Sequence, residues 1–234
     1  MNGKAVTVVA AFGFILVMVF CILNYKMASR DVADLPIKTE KTVVIIDAGH
    51  GGIDAGAVGL NGAYEKDINL SIANKLNDIL KSSGYLTVLT RTKDICLAGD
   101  EAKTVREKKT SDLHNRMKIM ESYENVIFIS IHQNSFYGAK ARGAQVFYSP
   151  NSEESKALAD LIQGSIKTGL QPENKRLTKK AGTSIYLLYQ AQKPAVMVEC
   201  GFLSDYEENL KLCNDEYQNQ LALYIAEGIK TYLD

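Results

Sequence analysis

The sequence predicts an α/β fold, a sheet with helices on its faces, on three observations. From Thr42 onward, short apolar runs alternate with amphipathic stretches of helical length. The runs VVII, VIFISI and AVMV are continuous rather than alternating, as in strands buried on both faces. Between the first run and the first helix the chain is crowded with glycine: six of its 17 glycines lie from Gly49 to Gly62. Such density implies a backbone that turns tightly and lets something approach closely.

Taken in order, Ala5–Leu23 is 19 residues without a charge, close to the roughly 20 that span a bilayer core. A cleaved signal peptide competes with an anchor, but its apolar region is usually shorter, and no small-x-small cleavage site follows. Residues 1–25 are therefore expected to be a membrane anchor or uncleaved signal. Lys4 precedes the run and Lys26 and Arg30 follow it, so charge does not set its orientation. Residues 26–41 read as a polar linker, and 42–234 as one folded domain.

Within that domain, Thr42–Asp47 is the first strand. Asp67–Ser82 is an amphipathic helix with Ile68, Ile72, Leu76 and Ile79 on one face and Gly84 placed to end it. Tyr85–Arg91 is the second strand. Thr92–Thr110 reads as a charged, solvated excursion, and Ser111–Ser122 as a helix carrying His114. Val126–Ile131 is a strand ending at His132, and Gly143–Tyr148 another ending before Pro150. Ser152 opens a helix to Thr168, with Glu153 and Glu154 in its first turn. Ile185–Leu188 is a candidate short strand. Ala195–Cys200 is the last buried strand, with Glu199 near its end. Ser204 and Glu207 have capping-box spacing for the next helix, and Asp215–Leu233 is helical.

Composition is that of an ordinary globular chain: 46% hydrophobic, 23% charged, with Lys+Arg and Asp+Glu equal at 27 each. That balance argues against nucleic-acid binding, which leaves a basic excess. None of the four cysteines falls in a CxxC pair and Cys21 lies in the apolar N-terminal run, so the pattern shows neither a disulfide framework nor a thiolate zinc site.

In open α/β sheets ligands collect beyond the carboxyl ends of the strands. Three strands here end in a residue suited to metal binding or proton transfer: His50, His132 and Glu199. Glu65 joins them where the glycine loop gives way to helix. Two histidines and a glutamate form a catalytic zinc set with a position left for water, and Glu199 is then the spare carboxylate for general base work. A single histidine after a strand often just hydrogen-bonds a loop; the coincidence of several such residues favours a site. His114 lies in a polar helix and Cys200 packs as a small apolar residue, so neither is assigned a role. Two histidines and a carboxylate also describe the facial triad of non-haem iron oxygenases; the spare Glu199 argues against that alternative.

Three segments carry a resemblance in family order: DAGHGGIDAGAVGLNGAYEKD, SIHQNSF and PAVMVECGFLSDYEEN. Together they resemble the zinc-dependent N-acetylmuramoyl-L-alanine amidases of the Amidase_3 family, over Thr42 to the C-terminus. The resemblance implies a mixed, mostly parallel sheet of about six strands flanked by helices. It implies zinc held by His50, Glu65 and His132, with Glu199 catalytic. The reaction implied is hydrolysis of the amide joining the lactyl group of N-acetylmuramic acid to the L-alanine of the peptidoglycan stem peptide. A short anchored form without wall-binding repeats is most similar to the germination-specific, spore-cortex amidases of CwlD type. Those act with a peptidoglycan deacetylase in forming muramic-δ-lactam, and clostridial relatives associate with an accessory lipoprotein. The resemblance also implies a domain outside the cytoplasm, in the space between forespore and mother-cell membranes for a spore role. A vegetative autolysin and a non-catalytic, metal-containing wall-binding module are the alternatives.

The chain departs from the family pattern in two places. An RTxD segment (Arg91–Asp94) is usually followed closely by LxxR, but here Leu113 and Arg116 come only after the charged excursion, which reads as a partner-binding or gating insertion or a plain loop. Gln133 follows His132 where alanine is common, which puts local packing in question.

Overall fold

The structure is a computed structural model that describes residues 36–136 and 142–234. The apolar run at 5–23 and most of the 26–41 linker lie outside the described residues. Among the described residues no helix is long and apolar enough to cross a membrane.

Residues Lys38–Asp234 form one compact unit. Its elements are β1 (Val43–Ala48), α1 (Glu65–Ser82), β2 (Leu86–Leu89), α2 (Val105–Glu121), β3 (Val126–Asn134), β4 (Gln145–Tyr148), α3 (Glu153–Gly169), β5 (Lys179–Lys180), α4 (Tyr186–Gln190), β6 (Ala195–Phe202), α5 (Tyr206–Leu212) and α6 (Asp215–Leu233). The six strands form one mixed sheet in the order β2-β1-β3-β6-β4-β5. β2, β1, β3 and β6 run parallel. β4 is antiparallel to β6 and parallel to the two-residue β5.

The alternation of side chains along a strand explains why the apolar runs are continuous. Val44, Ile46 and Ala48 of β1 join a core built with Ile72 and Leu76 of α1, Ile162 of α3 and Ile225 of α6. Val43 and Ile45 point the other way, into a smaller core with Phe128, Met117 and Met120 of α2, and Leu187 and Leu188 of α4. Both faces are covered, so every residue of β1 is buried. Gly84, at φ 85, ends α1 in the left-handed conformation that glycine adopts without penalty.

Four expectations need correction. α2 begins at Val105, not Ser111, so the excursion ends at Thr104. A capping box fixes that start: Thr104 Oγ1 accepts from the Glu107 N–H at 3.2 Å while Glu107 Oε2 accepts from the Thr104 N–H at 2.9 Å. The remaining loop is tied down, with Asp112 accepting from the Leu97 N–H at 2.7 Å and Ala102 buried. Ile185–Leu188 is not a strand: Tyr186–Gln190 is a helical turn that presents Leu187 and Leu188 to the smaller core. Asp205, not Ser204, caps α5, accepting from the N–H groups of Glu207 and Glu208, while Ser204 Oγ bonds the backbone of Phe136. β3 also continues through His132 to Asn134, so His132 is a strand residue rather than the residue after one.

Candidate active site

The carboxyl ends of β1, β3 and β6 meet at one end of the sheet. His50 leaves β1 two residues after its end and is the one described non-glycine residue with positive φ, at 61°. A left-handed histidine is strained and persists where its surroundings fix it. Arg116 donates to the His50 carbonyl at 2.7 Å, and the ring is held through Nδ1, 2.9 Å from Asp54 Oδ2. With Nδ1 held by a carboxylate, Nε2 is the ring nitrogen left to face the cluster, and it carries the lone pair when the ring is neutral. It points at Glu65 Oε1, 3.3 Å away.

Glu65 is the first residue of α1 and is 4% exposed. Its carboxylate is aimed by the chain around it. Oε2 accepts from the Ala57 N–H at 2.8 Å; Oε1 accepts from the Gln133 N–H at 3.1 Å and from Asn69 Nδ2 at 3.3 Å. Gln133 Nε2 in turn donates to Asn69 Oδ1 at 3.1 Å, while its Oε1 is buried without a hydrogen-bond partner among the described residues. His132 Nδ1 lies 2.9 Å from the same Oε1. Gly56, at φ 68, must be glycine: a Cβ there would stand 2.5 Å from Glu65 Oε2.

The three side chains predicted as ligands therefore converge, with one donor atom from each of His50, Glu65 and His132 inside a 4.8 Å span. Burial opposes ionisation of Glu65, yet the hydrogen bonds and charges of His132 and His50 outweigh it and hold its carboxyl far below the ordinary range. Burial likewise pulls the His50 pKa down, but Asp54 and Glu65 overcome it and raise the value to about 9. A pocket that draws a proton onto an enclosed imidazole is one that stabilises positive charge at that point. Two imidazole nitrogens and a carboxylate oxygen fit a divalent metal of the zinc type, with one coordination position left open.

Glu199 lies beside this cluster. It pairs in register with His132 across the parallel β3–β6 ladder. It keeps some exposure, but its Oε2 is buried with no hydrogen-bond partner among the described residues. Burial pushes the Glu199 carboxyl up to about 7, with Glu65 adding to the rise and His132 opposing it. A carboxyl tuned to neutrality is suited to taking up and returning a proton.

Sequence reasoning missed the scaffold behind these groups. Arg116 is 1% exposed and bonds Asp47, the Ala48 carbonyl at 2.8 Å and the His50 carbonyl. Arg91 donates to the carbonyls of Ala48 at 2.9 Å, Gly49 at 3.0 Å and Lys66 at 2.7 Å. Asp47 is fully buried and also accepts from Thr90 and Ser130. Burial would raise its pKa, but Arg116 and these hydroxyls win and lower it. The spacing of RTxD and LxxR was the available signal, since both arginines belong to it. The other titratable candidates stay outside: His114 is exposed against Tyr186, and Cys200 is buried in the larger core with its thiol pKa pushed up by burial.

A mixed sheet with a His–Glu–His cluster and a buried carboxylate oxygen, unpartnered among the described residues, at its strand ends fits a hydrolase. The chain belongs to the Amidase_3 family of N-acetylmuramoyl-L-alanine amidases, whose model matches residues 44–231. It is 33% identical over 223 residues to the germination-specific N-acetylmuramoyl-L-alanine amidase of Bacillus subtilis, covering 94% of this chain and 91% of that one. Among solved structures it is similar to the CwlD amidase from Clostridioides difficile, determined in complex with the GerS lipoprotein. That match has 42% identity and a TM-score of 0.79, over 82% of this chain and 98% of the other. The catalytic domain of CwlV from Bacillus (Paenibacillus) polymyxa var. colistinus matches with 33% identity and a TM-score of 0.68, over 82% of this chain and 98% of the other. The protein is thus an N-acetylmuramoyl-L-alanine amidase acting on peptidoglycan.

Proposed function

We propose that the amidase works through one zinc ion held by His50, Glu65 and His132, with Glu199 as general base. The convergence of three donor atoms within 4.8 Å carries this reading. Zinc bound there would supply a water of lowered pKa and a Lewis acid for the amide carbonyl. Glu199, ionised, takes the proton of the attacking water and returns it to the leaving L-alanine nitrogen. Its orphaned Oε2 leaves one oxygen uncommitted for that transfer. Asp54 keeps His50 in the tautomer that ligates. Arg91 and Arg116 hold the carbonyls of the 48–50 turn, so the first ligand stands on a fixed backbone.

The reading extends to a spore-cortex role, removal of stem peptides during muramic-δ-lactam formation in sequence with a peptidoglycan deacetylase. The likeness to the germination-specific and CwlD amidases supports it. The C. difficile complex supports an accessory lipoprotein as partner. The uncharged run Ala5–Leu23 supports a membrane anchor, with the catalytic domain on the outer, wall-facing side where peptidoglycan lies. Mass spectrometry of purified peptidoglycan digested by residues 38–234 tests the reaction. Free stem peptides with an L-alanine amino terminus, lost on chelation and restored by zinc, are the expected products. Cleavage that survives complete chelation would refute the metal reading.

A further inference from the structure

The segment that looked in sequence like a solvated excursion delivers one side chain to the site. Lys109 lies on the second turn of α2, and its Nζ is 2.9 Å from Asp54 Oδ1. The other oxygen of that carboxylate, Oδ2, is 2.9 Å from His50 Nδ1. Asp54 thus bridges an ammonium and an imidazole, one oxygen to each. Among the described residues, Asp54 Oδ1 has besides Lys109 only the Gly56 N–H, at 3.4 Å. Lys109 and Asp54 line the same cavity of about 160 Å³ as His50, His132, Asp112 and Arg116.

We propose that Lys109 is a positioning residue for the metal site, acting on His50 through Asp54. A carboxylate held at one oxygen is free to swing about its Cβ–Cγ bond. Held at both, its plane is fixed, and with it the direction of the His50 ring. This matters because His50 sits on a strained left-handed backbone, which by itself does not aim the ring. The ammonium has a second, opposing influence: its positive charge disfavours a nearby divalent cation. The Asp54 carboxylate that the ammonium contacts offsets that charge, which leaves aiming as the effect the substitutions below read. Lys109 also ties the start of α2 to the glycine loop. The capping box at Thr104 and Glu107, which sets where the helix begins, therefore bears on the geometry of the site.

The inference rests on the zinc reading above, and its test separates the two. Zinc affinity is measured on the metal-free full chain by competition with a chromophoric chelator, for wild type, His50→Ala, Lys109→Met, Lys109→Arg, Asp54→Asn and the Asp54→Asn/Lys109→Met double variant. Wild type is expected to bind one zinc tightly and His50→Ala to lose it. Lys109→Met should weaken zinc binding by about tenfold, at the lower end of the usual effect of a group that orients a ligand. Lys109→Arg, which keeps the cation and the hydrogen bond, should stay within about threefold of wild type. In the Asp54→Asn background the Lys109→Met change should add almost nothing, because the two act in one chain. The Tm of metal-free Lys109→Met should stay within about 2 °C, since a half-exposed ion pair contributes little to folding. Absence of zinc from wild type would overturn the metal reading and this inference with it. Wild-type affinity in Lys109→Met, or an undiminished Lys109→Met effect in the Asp54→Asn background, would overturn this inference alone.

Discussion

His132 on β3 and Glu199 on β6 are direct partners in a parallel ladder, so a candidate ligand and the candidate base stand side by side on neighbouring strands. In-register neighbours project from the same face of a sheet. Their spacing is therefore set by backbone hydrogen bonds, not by flexible loops. β6 is also flanked on its other side by β4, where Gln145 is the partner of Glu199, so the candidate base sits on an interior strand of the sheet.

That placement predicts a separation of chemistry from metal binding. Glu199→Gln keeps the size of the side chain but accepts no proton. It should retain its zinc and its fold while turnover on peptidoglycan falls by at least roughly a hundredfold. Steady-state kinetics together with metal analysis of the same preparation check this. Unchanged turnover would give the role of base to another group.

The same substitution has a pH signature in the metal-free protein. The folded-state pKa of Glu199, about 7, lies above the 4.5 of the free side chain. A raised carboxyl is retained in its protonated form by the fold, so ionising it costs stability as pH rises from about 4.5 through 7. The cost is on the order of 3 kcal/mol once ionisation is complete. Chelated Glu199→Gln should match wild type near pH 4.5 and exceed it in thermal stability at pH 8. Parallel melting curves across that range would contradict the buried, raised carboxyl.

Arg116→Leu should be costly to the fold itself. Arg116 and Asp47 are buried together, and removing the arginine strands a carboxylate in the core. Breaking a buried pair in this way costs about 3–5 kcal/mol. Urea denaturation measures it. Adding Asp47→Asn to that variant should recover part of the loss, because the stranded charge is gone.

Thr104→Ala tests the start of α2. Loss of an N-cap costs about 1 kcal/mol, read from the denaturation midpoint. Deletion of Ala102–Lys109 should cost far more, since it removes the cap, the first helical turns and the buried Ala102 together. Read from sequence alone, that deletion would be nearly neutral.

What was legible in the chain follows from what each signal depends on. The strands of the sheet centre were legible because residues such as Val43–Ile46 are apolar on both faces, which a doubly covered sheet demands. The start of α2 was not, because VREKKT has no apolar face. Its helix rests on the polar TxxE signal at Thr104–Glu107, which the surrounding charge obscured. Ile185–Leu188 was ambiguous because a short apolar run fits a strand or a buried helical turn equally. His50, Glu65, His132 and Glu199 were legible because each stands at an element boundary or strand end within a motif. Asp54, Asn69 and Lys109 were not, because their part in the site is a contact made only in three dimensions.

Zinc stoichiometry across a matched set decides whether His50, Glu65 and His132 hold the metal: wild type, His50→Ala, Glu65→Gln, His132→Ala and Glu199→Gln, each shown to be folded by circular dichroism. One zinc per chain is expected in wild type and in Glu199→Gln, and its loss from the other three. Zinc retained in any of those three at wild-type affinity, or lost from Glu199→Gln, would contradict that assignment.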